Sequence, residues 1–318
     1  MGTEPDVVVW DVPLRTRFRG LTRRDGVLVR GDAGWGEFSP FWDYDDTAAA
    51  RWWRAAREAA DDGWPAPVRT HVPVNVTVPA VDPAHAHRIV TGSGGCRTAK
   101  VKVAEPGQPA GADEARLEAV RDALGPHGAI RVDANAAWDV DTAVRRLAAL
   151  DRAAGGLEYA EQPVPGVDDL AALRRRTHVP LAADEAVRRT DDPLAVVRRH
   201  AADVIVLKVQ PLGGVRACLR LAEQAGLPVV VSSALETSVG LAAGLALAGA
   251  LPELPYACGL ATAALLADDL VSDPLLPRDG AIEVRRPEPS AALVGAAAAP
   301  PALVARWGGR LTAVRARA

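Results

Sequence analysis

A (β/α)8-type barrel preceded by an α+β capping lobe is the fold that this sequence predicts, and three observations predict it. From about residue 72, short apolar runs alternate with amphipathic stretches. Eight such runs recur at intervals of roughly 20–30 residues, a rhythm that suits a closed barrel better than an open sheet. The first 95 residues have another texture: six of the eight Trp fall before position 65, among short alternating runs with Gly turns.

In the lobe, DVVVWDV, GVLVRG and WGEFSP read as antiparallel strands, and the segment DDTAAARWWRAAREAADDG reads as a helix. Asp45 and Asp46 precede its first turn and Gly63 follows its last. The barrel strands are VNVTVPA (74–80), TAKVKVA (98–104), AIRVDAN (129–135) and LEYAEQP (157–163), then PLAADEA (180–186), VIVLKVQ (204–210), PVVVSSA (228–234) and PYACGLA (255–261). DEARLEAVRDALG, DTAVRRLAALDRAAGG and DDLAALRRR are amphipathic helices between them. GLAAGLALAGALPEL (240–254) is too short to span a bilayer and reads as a buried helix. The helical signal after PYACGLA is weak, which points to the modified (β/α)7β form. AIEVRRPEPS reads as a strand that returns to the lobe. The expected division is a capping domain at 1–72, a barrel at 73–270 and a C-terminal segment at 271–318 that packs back on the cap.

Composition sets the class. With 318 residues, 49% hydrophobic, 24% charged and a net charge of −3, the composition is ordinary for a globular enzyme and offers no basic field for nucleic acid. Cys96, Cys218 and Cys258 fit neither a disulfide framework nor zinc spacing, so a reducing, cytoplasmic setting is expected. The N-terminus lacks the basic-then-apolar pattern of a signal peptide, and no membrane segment is expected.

Of 37 Lys and Arg residues only Lys100, Lys102 and Lys208 are lysine, and all three lie in strand runs. A GC-rich genome explains scarce lysine. It does not explain why these strand positions keep it, where a side chain able to lose its proton is one answer. Catalytic groups of a barrel sit at the C-terminal ends of its strands. Read in order, those ends carry Lys100 and Lys102, Asp133 and Asn135, Glu161, Asp184 and Glu185, then Lys208. Asp133, Glu161 and Asp184 come from three consecutive strands and are placed to converge. Three carboxylates at one point need a cation, and oxygen-only ligation suits Mg2+ or Mn2+. No Cys or His lies beside them, which argues against zinc. Lys100 and Lys102 share one strand face, and Lys208 comes from a strand nearly opposite. Together with a metal gripping a carboxylate, such lysines could handle the proton of an adjacent C–H.

In order, KVK, VDAN, AEQPV, AADEA and LKVQPLGG closely resemble the enolase superfamily, in its muconate lactonizing enzyme-like subgroup. The resemblance covers nearly the whole chain. It implies that Asp133, Glu161 and Asp184 bind Mg2+, that Lys102 and Lys208 flank the substrate, and that Lys100 supports Lys102. The mandelate racemase branch uses a late His base, whereas His200 is the last histidine here and precedes the sixth strand end.

Within the subgroup, GWGEFSPFWDYD (34–45), Arg131 two residues before Asp133, and SSALETSVG (232–240) resemble the o-succinylbenzoate synthase family. That resemblance implies a small carboxylate substrate, a succinyl-bearing hydroxycyclohexadiene carboxylate, dehydrated to an aromatic ring in menaquinone biosynthesis. It implies Lys102 as the base that also returns the proton, with Lys208 as a cationic stabiliser. Racemisation of N-succinyl amino acids, dipeptide epimerisation and cycloisomerisation use the same scaffold. PYACGLATA offers no acid for a substrate ammonium, which disfavours the dipeptides. A purely structural barrel would need none of these charged positions.

Other residues have plainer readings beside the functional ones. Arg131 either contacts substrate or pairs internally with an acid. Asn135 hydrogen-bonds near the metal or caps its turn. Glu185 orders Asp184 or a lysine, or lies at the surface. Ser232 and Ser233 bind a substrate carboxylate or serve the loop. Gly213-Gly214 is a tight turn opening a helix and not a phosphate cradle. Trp42 and Tyr44 are candidates for a lid, and Arg174-Arg175-Arg176 is a solvated helix face.

Overall fold

Three antiparallel strands, β1 (Val7–Phe18), β2 (Leu21–Gly31) and β3 (Gly34–Phe38), form the sheet of the lobe in that order. The structure is a computed structural model and describes residues 7–109 and 111–318; the first six residues, part of the N-terminus read above, lie outside that description. Arg19 and Gly20 make the β1–β2 turn at φ 52° and 76°. Asp45 caps α1 (Asp46–Arg57), its carboxylate accepting a hydrogen bond from Ala48 N at 2.7 Å. This helix lies directly on β3: a Cβ at Gly36 would fall 2.0 Å from the Ala56 carbonyl oxygen, so only glycine fits. Phe38, Trp52 and Trp53 are buried in the resulting core.

After β4 (His71–Pro73) the barrel begins with β5 (Val76–Val78), α2 (Pro83–Thr91), β6 (Thr98–Lys102) and α3 (Ala112–Leu124). It continues through β7 (Ala129–Asp133), α4 (Val140–Ala154), β8 (Tyr159–Glu161), α5 (Val167–Arg174) and β9 (Leu181–Ala183). Two single-turn helices follow, α6 (Glu185–Arg188) and α7 (Ala195–Arg198). Then come β10 (Val204–Leu207), α8 (Val209–Leu212), α9 (Val215–Ala225), β11 (Val229–Val231) and α10 (Ser238–Ala250). The parallel order is β5-β6-β7-β8-β9-β10-β11. These strands are almost wholly buried, as strands covered on both faces must be.

The eighth predicted strand survives only as isolated bridges, Cys258 to Val74 and Gly259 to Ser232. They close the ring between β11 and β5. A 3-10 turn at Ala261–Leu265 stands where an eighth helix would be, which gives the (β/α)7β form. In α10 every residue from Ser238 to Gly249 is buried, as its unbroken apolar character requires. Among the described residues no helix is long and apolar enough to cross a membrane.

The strand expected to return to the lobe forms a separate two-stranded sheet instead, with Ile282 buried in the barrel core beside Val72. β12 (Ala281–Glu283) pairs antiparallel with β4, Ile282 opposite Val72. After α11 (Ala291–Ala296), α12 (Pro301–Arg315) buries Trp307, Leu311 and Val314 in the core of the lobe. Trp307 also donates its indole N–H to Asp25 at 2.8 Å.

Candidate active site

Register brings the charged residues together. Lys102 on β6 pairs with Asp133 on β7, and Asp133 with Glu161 on β8, so these three side chains form one row across the sheet. Asp184 follows β9 directly, and its backbone N–H donates to Gln162 Oε1 at 3.0 Å. Lys208 follows β10, four strands from β6, and lines the same cavity as Lys100 and Lys102.

Ammonium groups tie the carboxylates together. Lys100 Nζ lies 3.0 and 3.1 Å from the two oxygens of Glu161 and 3.2 Å from Asp133 Oδ2. Lys102 Nζ donates to Asp133 Oδ2 at 2.5 Å and to Asn135 Oδ1 at 2.8 Å. Lys208 Nζ donates to Asp184 Oδ2 at 2.6 Å. Arg188 grips Asp184 from the other side, Nε to Oδ1 at 2.8 Å and a second nitrogen to Oδ2 at 3.1 Å, and reaches Glu185 Oε1 at 2.5 Å. Asn135 Nδ2 donates to that same Glu185 oxygen at 3.3 Å.

The charges are unevenly held. Burial works against ionisation of Asp133, yet Lys102 and Lys100 keep it below the usual carboxylate range. Asp184 is likewise held well below it, by Arg188 and Lys208 against the cost of burial. Glu161 goes the other way: burial, and then the charge on Asp133, pushes it up to about 7. Burial and the charge on Asp184 raise Glu185 as well. For Lys100, burial is outweighed by Glu161 and Asp133 and the ammonium is favoured. For Lys208, burial wins over Asp184 and the ammonium is disfavoured relative to a free lysine.

This donor set fits a hard divalent cation. Asp133, Glu161 and Asp184 offer carboxylate oxygens only, and at Glu161 the Lys100 ammonium does not offset burial and the charge on Asp133. Beside Asp184, Glu185 Oε2 is buried without a hydrogen-bond partner among the described residues. In this arrangement, however, no three His, Cys, Asp or Glu side chains among the described residues surround a common ion position. The lysine ammoniums stand between the carboxylates instead. Four acids (Asp133, Glu161, Asp184, Glu185) face four bases (Lys100, Lys102, Lys208, Arg188), a formally neutral set. A divalent cation together with a dicarboxylate would enter without changing that balance.

The cavity is roofed by the lobe. Phe18, Arg19 and Phe41 cover it, and Ser232, Ser233 and Thr262 form part of its wall. Its free space is about 30 Å3, enough for a water or two and far too little for an organic substrate. A second cavity of about 180 Å3 lies across the Phe18–Gly20 turn and shares Lys102 and Arg19 as lining.

Arg131, Trp42 and Tyr44 lie elsewhere than a role at the substrate requires. Arg131 is on the correct strand face but one row too low, paired with Lys100 and Tyr159. Its guanidinium donates to Glu158 at 2.5 Å, Asn75 Oδ1 at 3.1 Å and the Ala257 carbonyl at 2.7 Å, so it pairs internally and does not line the cavity. Trp42 packs at a tilt against Trp307 and hydrogen-bonds Asp25, and Tyr44 bonds Arg188; neither lines the cavity. Gly213 and Gly214 do open α9, at φ 88° and 122°. The anion at that helix start is Glu58 of the lobe, which accepts from Val215 N at 2.5 Å and Arg216 N at 3.1 Å. Ser233 bonds Thr262 at 2.6 Å and Ser232 lies at the strand bridge to Gly259, and both line the cavity. Arg188 and Gln162 were missed. The signal for Arg188 was its spacing, four residues after Asp184 on one helical turn.

Comparison with known proteins agrees with this geometry. Residues 83–289 match the family "Enolase C-terminal domain-like", and residues 9–60 match "Enolase N-terminal domain-like". A Thermobifida fusca protein named o-succinylbenzoate synthase is 64% identical over 96% of this chain and 94% of its own length. One of the same name from Mycolicibacterium smegmatis is 50% identical, with the same shares covered. Among solved structures, a muconate lactonizing enzyme from Pseudomonas fluorescens superposes with a TM-score of 0.79 at 22% identity, over 92% of this chain and 98% of that one. Matched in both lobes and along nearly its whole length, the chain belongs to the enolase superfamily.

Proposed function

We propose that the protein is an o-succinylbenzoate synthase, a hydro-lyase that takes water from a succinyl-bearing hydroxycyclohexadiene carboxylate and leaves an aromatic ring, in menaquinone biosynthesis. One observation carries the reading: two lysines, four barrel strands apart, face one cavity beside three buried carboxylates, in a chain 64% identical to a relative of that name.

Enzymes of this superfamily use a divalent metal. Asp133, Glu161 and Asp184 are the residues that would hold it, as Mg2+ or, in its place, Mn2+. When bound, it supplies positive charge beside the substrate's ring carboxylate and so makes the adjacent C–H more acidic. Lys102 leaves Asp133 and Asn135 and, as the neutral amine, takes that proton. The electron pair of the broken C–H bond moves into the ring as the C–O bond to the hydroxyl breaks. Lys102 then gives its proton to the departing oxygen on the same face, water leaves, and the lysine is neutral again. Lys208 stands opposite with its Nζ on Asp184, which favours the ammonium against the larger cost of burial; as the ammonium it offsets negative charge as it builds in the ring. Lys100 holds Glu161 and Asp133 in place beside its neighbour.

Racemisation of N-succinyl amino acids is the second reading, favoured by the presence of lysines on both sides of one cavity. Turnover in D2O with Mg2+ separates the two. Dehydration of the cyclohexadiene, without rapid α-deuterium uptake by N-succinyl amino acids, is the expected result. Rapid uptake by the amino acids with no dehydration would replace the first reading by the second.

A further inference from the structure

Behind the cavity wall lies a buried charged cluster that the proposed chemistry does not use. Arg24 on β2, Glu37 on β3 and Glu236 before α10 are 2%, 2% and 4% exposed. Arg24 crosses from lobe to barrel: Nε donates to the Leu235 carbonyl at 3.1 Å, and other nitrogens donate to the carbonyls of Asp25 and Ser39. Its guanidinium lies 4.3 Å from the centre of the Phe41 ring, which roofs the cavity.

Glu37 makes the same crossing with acceptors. Its Oε2 accepts from Thr237 Oγ1 at 2.5 Å and from the backbone N–H of Thr237 and Gly240, each at 3.2 Å, at the start of α10. Its Oε1 accepts from Ser39 Oγ at 2.7 Å. Gly240 leaves room for this approach, since a Cβ there would lie 2.8 Å from the Glu37 carboxyl carbon. Glu236 folds back on its own loop and accepts from Ala234 N at 2.7 Å. Ser39 N also donates to Gln210 Oε1 at 3.2 Å, which fastens the chain just after Lys208.

The segment so held is Ser232–Leu235, all of which lines the cavity. Leu235 sits at φ 64°, a conformation a branched side chain keeps only when its surroundings enforce it. Arg24 holds its carbonyl, and its N–H donates to Ser233 Oγ at 3.3 Å. We propose that Arg24, Glu37 and Glu236 are positioning residues through which the capping lobe sets the Ser232–Leu235 wall and hence substrate affinity. The affinity part rests on the dehydration reading; the positioning of the wall does not.

Four variants test this, Arg24→Met, Arg24→Lys, Glu37→Ala and Glu37→Gln, each assayed with the cyclohexadiene substrate and Mg2+. Glutamine can keep its carbonyl on α10 and donate to Ser39 Oγ, so it serves as the conservative rescue. Arg24→Met and Glu37→Ala should raise KM about tenfold with kcat within about threefold, and Glu37→Gln should keep KM within about twofold. Hydrogen exchange of the amides at 233–240 should quicken about tenfold in the Met and Ala variants, with those of β7 and β8 unchanged. Unchanged KM in both variants, or exchange that rises evenly across the barrel, overturns the proposal. If the wild type does not dehydrate the substrate, the exchange pattern alone decides. If Arg24→Met does not fold, Arg24→Lys decides in its place, because an ammonium cannot span the Leu235 and Ser39 carbonyls; in that variant unchanged loop exchange overturns it.

Discussion

Two rows of side chains cross the same three strands, one pleat apart, and they are built to opposite ends. The lower row is Lys100, Arg131 and Tyr159; the upper is Lys102, Asp133 and Glu161. In the lower row Arg131 is fully buried, bonded to a side chain or carbonyl on three sides, with its guanidinium 4.6 Å from the centre of the Tyr159 ring. The upper row has competing partners: Lys102 serves Asp133 and Asn135, and Glu161 is pushed up to about 7 by burial and by Asp133. A single pleat thus separates a fixed plug from groups that can exchange partners and protons. Lys100 links the two, rooted in the lower row and reaching the carboxylates of the upper.

The largest effect should come from the upper row. Lys102→Ala should lower kcat for dehydration by about 10^3-fold or more, with the circular dichroism spectrum unchanged, since a positioned acid/base group contributes on the order of 10^2–10^4. Normal turnover in that variant would end the proposed role of Lys102. Arg131→Met probes the lower row and should do the reverse. It strands Asn75 Oδ1 and the Ala257 carbonyl and removes the partner of a partly exposed Glu158. A loss of about 3 kcal/mol in urea denaturation is expected, with kcat per folded molecule within about threefold. A large fall in kcat at unchanged stability would return Arg131 to the catalytic row and erase the contrast.

How much of this was legible depends on sequence distance. The carboxylates and lysines were readable because strand ends of a barrel converge whatever the helices between them contain. Arg131 was misjudged because strand periodicity gives the face and not the depth; only the register shows it a row below Asp133. The lobe's contributions were hidden for another reason. Arg24 meets Leu235 across 211 residues and Glu37 meets Thr237 across 200, and no local pattern announces such a pairing. WGEFSP read as a strand with a Gly turn, and it is one; that its glutamate would cap a barrel helix depends on how the lobes dock. Phe18, Arg19 and Phe41 escaped notice likewise, while Trp42, more conspicuous, does not line the cavity.

The lobe junction stands between the two rows, buried like the lower and unevenly charged like the upper, and pH should reveal it. Two carboxylates, Glu37 and Glu236, face one guanidinium, Arg24, so the cluster is neutral only when it holds a proton. Burial raises Glu37 from an ordinary 4.5 to about 7, despite the hydroxyls of Thr237 and Ser39, and it raises Glu236 too. A carboxyl whose folded value lies above its unfolded one favours the fold while protonated. Its contribution is full below pH 4.5 and is lost as pH rises through 7. Other groups, Glu161 among them, titrate in the same range, so the informative quantity is the difference from Glu37→Gln, which keeps the protonated form's hydrogen bonds at every pH. Between pH 5 and 8 the wild type should lose stability relative to the variant by on the order of 1 kcal/mol, less than a shift of this size implies because Glu236 shares the proton. Parallel curves from urea denaturation across that range would mean that Glu37 keeps its charge in the fold. The junction would then be fixed like the row around Arg131, and the proton would have to be sought on Glu236.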